Sequence, residues 1–121
     1  MRNHIEMETV DMSSGWEPMS GIAGVEVKYL ANDLDEETRT GSRTRYVRVA
    51  PGTKTPEAQV HTYWEDVFVL EGDLYPLPDG AAPDAPHYSL RPPGTAHGPF
   101  GSKNGCLLLE IQYFLAISES S

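Results

Sequence analysis

Residues 59–72 carry the main indication of the architecture, and they read Gln59-Val60-His61-Thr62-Tyr63-Trp64-Glu65-Asp66-Val67-Phe68-Val69-Leu70-Glu71-Gly72. Alternate residues of a β-strand point to the same side, so Gln59 and His61 face one way together. Glu65 follows a turn and can fold back beside them. Downstream, the rigid turn Pro92-Pro93-Gly94 leads to His97 and can aim its imidazole inward. The two segments therefore offer an amide, two imidazoles and a carboxylate to one site.

Short strands separated by tight turns account for most of the chain. Alternating apolar residues predict strands over about residues 21–30, 43–49, 57–62, 66–72, 86–91 and 106–114. Turn signals such as Pro51-Gly52 and Pro78-Asp79-Gly80 separate them, and no helical apolar stripe exceeds a turn or two. Six or seven short strands of this kind predict an all-β sandwich or barrel. We expect an N-terminal arm over residues 1–20, the barrel over residues 21–116 and a flexible tail over residues 117–121.

Composition narrows the class of protein. The chain has 121 residues, 9 Lys and Arg against 18 Asp and Glu, and a formal net charge of −9. This length supports one domain, and the charge disfavours nucleic acid and anionic membranes as partners. A single cysteine, Cys106, excludes an internal disulfide and a CxxC zinc motif. Since the sequence shows neither a long apolar run nor a secretory signal, we expect a cytoplasmic protein in which Cys106 is a buried, inert thiol.

The order and spacing of these residues resemble the two sequence motifs of the cupin family. The first motif is His-x-His, three or four residues, Glu, six residues and Gly, and here it reads Gln59-x-His61, Glu65 and Gly72. The second is Pro-x-Gly, two residues, His, three residues and Asn. Here it reads Pro92-x-Gly94, His97 and Gly101. The departures are Gln59 for the first histidine, Gly101 for the closing asparagine and Pro86 for the opening glycine. Within cupins, residues 47–97 look most like the ChrR-like subgroup and are similar to small dioxygenases that cleave acetylacetone and related diketones.

The resemblance implies an antiparallel cupin β-barrel (a double-stranded β-helix, or jelly roll) with one divalent metal ion in its mouth. It implies metal ligands at Gln59, His61, Glu65 and His97. Two imidazoles and a carboxylate form the ligand set of non-haem Fe(II) enzymes, so Fe(II) is favoured, with Zn, Ni or Mn as alternatives. Gln59 is either a direct ligand or a hydrogen-bonding neighbour of the ligands. The alternative for the whole site is a degenerate cupin in which Gln59 marks a lost metal.

Further residues are candidates for catalysis or for the wall of a substrate pocket. The candidate catalytic residues are Glu65, His87 and Tyr63. The candidate lining residues are Tyr46, Arg45, Trp64, Phe100 and Gln112. Packing at the barrel rim is the alternative for Tyr63 and Trp64, core packing for Phe100, and a surface position for Arg45, Tyr46 and His87. The strand period cannot tell which alternate residues face inward.

The sequence favours a metal-dependent small-molecule enzyme. Its most concrete form is a non-haem Fe(II) dioxygenase that cleaves a C–C bond of a diketone-like or phenolic substrate. One alternative is a Lewis-acid isomerase, dehydratase or cyclase that uses Zn, Ni or Mn. Its base would be His87, or Glu65 if Glu65 is not a metal ligand. The other is a non-catalytic cupin that senses a metal or a ligand. The expected partners are a small-molecule substrate and a second copy of the chain, with Trp16 and the N-terminal arm contributing to a homodimer.

Overall fold

The computed structural model describes residues 3–116, and within that range it contains eleven strands and no helix. The strands are β1 (Glu17–Pro18), β2 (Val25–Asn32), β3 (Ser42–Val49), β4 (Thr53–Lys54), β5 (Gln59–Val60), β6 (Trp64–Gly72), β7 (Tyr75–Pro76), β8 (His87–Arg91), β9 (Ala96–His97), β10 (Phe100–Ser102) and β11 (Cys106–Tyr113). The predicted all-β class is confirmed. The predicted strand over residues 57–62 is only two residues long, because its partner β9 is equally short. The predicted tail over residues 117–121 lies outside the described residues.

No helix in the described range has the length and apolar character needed to cross a membrane.

The strands form one large and two small antiparallel sheets. The large sheet has the order β1-β2-β3-β11-β6-β8, and the small sheets have the orders β4-β10-β7 and β5-β9. Side chains from the large sheet and from both small sheets line a single cavity, so the sheets enclose the interior of the barrel. The apolar core consists of Val25, Val27, Val47, Val67, Val69, Cys106 and Leu108. Alternating valines and leucines place one apolar face of each long strand in this core.

The inward side chains of the large sheet form layers, because residues directly opposite one another in antiparallel strands share a face. The layer at one end is polar and contains Arg43, Gln112, Glu65 and Arg91. The next layer is mixed and contains Arg45, Glu110, Val67 and Ser89. The third layer is mainly apolar and contains Val47, Leu108, Val69 and His87. The strand register therefore concentrates charge at one end of the barrel and hydrophobic packing at the other.

The N-terminal segment is attached to the barrel. Strand β1 pairs with β2, placing Glu17 opposite Val27. Further back, the guanidinium of Arg48 lies 4.2 Å from the Trp16 ring on the outer face of the large sheet. Met19 and Ile22 pack against the apolar core. The segment from Trp16 to Ile22 is therefore in contact with the large sheet and the core.

Candidate metal centre

Three side chains meet at the polar end of the barrel. Glu65 on β6 is 2% exposed, while His97 lies on β9 and His61 lies in the turn between β5 and β6. One ligand atom from each of these three residues lies within 4.8 Å of the others. The separation matches a site in which one cation contacts all three. The structure therefore brings together three of the four predicted ligands.

Gln59, the fourth predicted ligand, is next to this group. It pairs directly with His97 across β5 and β9 and lines the same cavity. Because opposite residues of an antiparallel pair share a face, the Gln59 side chain lies on the same side of the small sheet as the His97 imidazole. A direct bond from Gln59 to a metal ion stays a prediction.

The chemistry of the histidines fits a divalent cation. Both ring nitrogens of His97 are buried without a hydrogen-bond partner within residues 3–116, and its Nε2 lies 3.9 Å from Oε1 of Glu65. A buried polar atom without a partner is unfavourable, and a metal ion would supply the missing partner. Burial and the nearby Arg91 lower the pKa of His97 to about 4, and burial also lowers the pKa of His61. Both imidazoles are therefore neutral near pH 7, which is the form that binds metals.

Hydrogen bonds hold the Glu65 carboxylate at both oxygens. Gln112, 0% exposed, donates its amide N–H to Oε2 at 2.6 Å. Arg91 donates from Nη1 to Oε1 at 3.1 Å, and the Nε of Arg43 donates to the amide oxygen of Gln112. Such contacts fix the orientation of a ligating carboxylate. Gln112 was expected to line a substrate pocket. The structure instead buries it behind Glu65, away from the cavity lining.

Tyr63 lies behind the metal-binding group. Its ring stacks on His61 with a centroid separation of 4.6 Å, and its hydroxyl accepts a hydrogen bond from Nη2 of Arg43 at 3.3 Å. Only 4% of Tyr63 is exposed, and burial raises its pKa to about 12. The phenol therefore stays protonated near neutral pH. Tyr63, a predicted catalytic residue, lies outside the cavity lining and packs against a candidate ligand.

His87, a predicted catalytic residue, lies away from the metal-binding group along the large sheet. It opens strand β8 opposite Val69, in the mainly apolar third layer. Val69 lies four residues beyond Glu65 on β6, which corresponds to about 13 Å along the strand. The Nε2 atom of His87 is buried without a hydrogen-bond partner in the described residues. His87 therefore faces the same side of the sheet as Val69, four residues along β6 from Glu65.

The predicted lining residues divide according to strand parity. Arg45 and Phe100 line the cavity. Tyr46 follows Arg45 on β3 and Trp64 precedes Glu65 on β6, so both side chains point to the outer face of the large sheet. Neither side chain is among the residues that line this cavity.

Sequence reasoning missed three charged residues at this end of the barrel. Arg91 contacts Glu65, Arg43 contacts Gln112, and Glu110 accepts a hydrogen bond from Nε of Arg45 at 2.8 Å. The alternation of inward and outward residues along the strands could have indicated these three residues. Once Glu65 is assigned to the inner face, the strand register places all three on that face as well.

Comparisons with known proteins agree with this fold. The sequence profile of the ChrR cupin-like domain matches residues 5–113. No curated protein sequence is similar to the chain at a significant level. An RmlC-like cupin from Shewanella frigidimarina is similar in structure, with a TM-score of 0.67, 16% identity, and coverage of 98% of this chain and 97% of the other.

Two enzymes are also structurally similar to the chain. An acetylacetone dioxygenase from Acinetobacter johnsonii has a TM-score of 0.65 and 18% identity, with coverage of 96% of this chain and 83% of that one. A polyketide cyclase from Streptomyces resistomycificus has a TM-score of 0.62 and 18% identity, with coverage of 94% and 89%. At these identities the similarity establishes the fold, whereas an activity has to be argued from the site.

Proposed function

The chain belongs to the ChrR cupin-like family, and from that premise we propose that it is a metal-dependent enzyme acting on a small molecule. The specific reaction proposed is that of a non-haem Fe(II) dioxygenase, which cleaves a C–C bond of a diketone-like or phenolic substrate. The observation that carries the proposal is the convergence of His61, Glu65 and His97 on a cavity of about 90 Å³. Two imidazoles and one carboxylate on one side of a cation leave other positions open for substrate.

Some residues at the site would hold the metal ion, and others would contact the substrate. A bound divalent ion supplies a Lewis acid for an enolate oxygen and, as iron, the redox chemistry that cleavage by O₂ requires. Gln112 and Arg91 orient the Glu65 carboxylate. Arg45 lines the cavity, and the guanidinium N–H groups that remain beside its bond to Glu110 can donate to an enolate oxygen. Phe100 contributes an apolar wall.

The position of His87 bears on the non-oxidative alternative. An isomerase or cyclase needs a base within hydrogen-bond reach of its substrate. His87 lies about 13 Å along the sheet from Glu65 by strand spacing, and Glu65 itself is engaged by Arg91 and Gln112. The two bases foreseen for that reaction are thus remote or already committed. This supports the dioxygenase over the Lewis-acid enzyme.

The test begins with metal content and continues with oxygen uptake. Wild-type protein without a histidine tag is loaded anaerobically with Fe(II), and iron is determined by elemental analysis. We expect one iron per chain, loss of iron in His97→Ala, and full retention in His4→Ala, whose histidine lies in the exposed N-terminal segment. The iron-loaded protein should then consume O₂ with pentane-2,4-dione or a catechol. Stoichiometric metal without oxygen consumption would point to Lewis-acid chemistry, and failure to bind any divalent metal would leave a ligand-binding module.

We also propose that two copies associate through the outer face of β6 and β8. Three exposed apolar side chains lie along this face, with Leu70 38%, Tyr88 51% and Leu90 49% exposed. A cluster of exposed apolar groups favours association. Light scattering should give twice the chain mass at micromolar concentration and a monomer for Leu90→Lys. A wild-type monomer would refute the proposal.

A further inference from the structure

The cavity beside the candidate metal centre has two chemically different ends. Arg45 and Arg91 line it near His61, Glu65 and His97. The opposite end is apolar and is lined by Met19, Ile22, Val25, Val49, Leu74 and Leu108. The volume of about 90 Å³ limits the ligand to a small molecule. A ligand that matches both ends has one polar group and a short apolar part.

The charge of the lining specifies the polar group. The charged side chains of the lining that are at least partly buried are Arg45, Arg91, Glu65 and Glu110, whereas Glu57 is exposed to solvent, and metal-binding imidazoles are neutral. The two arginines and the two buried glutamates balance one another, so a bound divalent cation leaves the cavity positively charged. Because uncompensated charge is unfavourable in a poorly solvated space, the metal-loaded cavity favours an anion.

The two arginines are held in place to meet such an anion. The Arg45 side chain is 11% exposed, and its Nε–H is donated to Glu110. Arg91 is fixed by Glu65, with its guanidinium 5.4 Å from the Phe100 ring. A guanidinium carries five N–H donors, so each arginine can keep its carboxylate partner and bind a second acceptor. Charge-assisted hydrogen bonds of this kind are about twice as strong as neutral ones.

The apolar end is closed by the segment that precedes β2. The amide of Met19 donates to the carbonyl of Val25 at 2.9 Å, and the amide of Ile22 donates to the carbonyl of Met19 at 3.2 Å. This turn presses both side chains against the apolar core. Met19 and Ile22 therefore set the depth available to the apolar part of a ligand.

We propose that the cavity binds a short-chain aliphatic anion, with its anionic group at Arg45 and Arg91 beside the metal and its hydrocarbon tail against Met19 and Ile22. The proposal rests on the proposed function, since the positive balance exists only with the metal ion bound. It specifies the substrate class of that site. Uncharged molecules lack the group that Arg45 and Arg91 would bind, and longer chains exceed the depth that Met19 and Ile22 set.

Calorimetry on zinc-loaded protein tests the proposal without catalysis. The probes are straight-chain carboxylates from propanoate to octanoate and the corresponding primary amides, which have nearly the same shape but no charge. Wild-type protein should bind the best carboxylate about tenfold or more tightly than its amide, as expected for charge-assisted bonds in a desolvated site. Met19→Ala should shift the tightest binding to a longer chain, whereas Met12→Ala should not.

A paired variant separates Arg45 from direct binding of the carboxylate to zinc. Arg45→Gln with Glu110→Gln removes both members of the inner ion pair, so no buried charge is left alone. The matched control is Arg48→Gln with Glu26→Gln, which removes the outer pair joined at 2.7 Å. We expect the inner double variant to lose most of the carboxylate preference and the outer one to keep it.

The outcomes distinguish this inference from the proposed function. If wild-type protein binds no zinc, the metal centre is refuted and the inference falls with it. If zinc binds at one per chain but amides bind as tightly as carboxylates, the inference alone is refuted. If the inner double variant retains the preference, the assignment of the anionic group to Arg45 is wrong.

Discussion

Replacing Gln112 tests how the protein holds its metal-binding carboxylate. In Gln112→Met the side chain keeps its length but loses the N–H that donates to Glu65 at 2.6 Å. A hydrogen bond to a charged group contributes about 1.5–3 kcal/mol, and a tenfold change in affinity corresponds to about 1.4 kcal/mol. We therefore expect metal affinity to fall by roughly 10- to 100-fold, the usual effect of removing a group that orients a ligand.

Zinc titration followed by calorimetry measures this effect, with thermal unfolding of the metal-free protein recorded in parallel. Leu109→Met on the same strand, which faces the opposite side of the sheet from Gln112, is the matched control and should leave zinc affinity unchanged. In Gln112→Glu, the new carboxylate can still accept the hydrogen bond from Arg43, but it has no N–H to donate to Glu65. Unchanged affinity in Gln112→Met would refute the reasoning and leave Arg91 as the group that orients Glu65.

Three further predictions concern the barrel itself. Gly72 has a φ of +83°, and a Cβ there would collide with a neighbouring backbone carbonyl, so Gly72→Ala should prevent folding. Gly94 has a φ of +82° but open space around it, so Gly94→Ala should lower the free energy of unfolding, measured in urea, by only about 1–2 kcal/mol. Val69 is 1% exposed, so Val69→Ala should lower the free energy of unfolding by about 1–3 kcal/mol. Leu70 is exposed, so Leu70→Ala should lower it by less than about 0.5 kcal/mol. Burial raises the pKa of Cys106 to about 11, so about 0.1% of this thiol is ionised at pH 8. Iodoacetamide should therefore alkylate Cys106 roughly 100-fold more slowly in the folded protein than in protein unfolded in urea.

The motifs in the sequence were sufficient to predict the fold and the grouping of His61, Glu65 and His97. The spacing of His61, Glu65 and Gly72 predicts that β6 begins next to Glu65 and ends at Gly72. The turn before His97 orients β9 against β5. Both motifs depend on short-range geometry, which is encoded in neighbouring residues and is therefore visible in the sequence.

The side chains around the site were harder to predict because their positions depend on strand parity. On β3, Arg45 faces the cavity and Tyr46 faces outward, yet both occupy a strand of mixed polar and apolar residues. Shifting the assignment by one residue exchanges the two faces completely. His87 was also hard to place from the sequence. The prolines before it indicated an exposed loop, whereas its pairing with Val69 places it on the inner face of the large sheet.

The distribution of inward polar residues explains why the site lies where it does. Burying Glu65 as a carboxylate requires donors nearby, because an isolated buried charge is strongly unfavourable. Gln112 and Arg91 supply them directly, and Arg43 supports Gln112 in turn. These residues come from four strands, but each stands at the end of its strand where the register aligns with Glu65. The same register places valines and leucines at the other end, so one pattern of strand pairing creates both a polar metal centre and the apolar core that supports it.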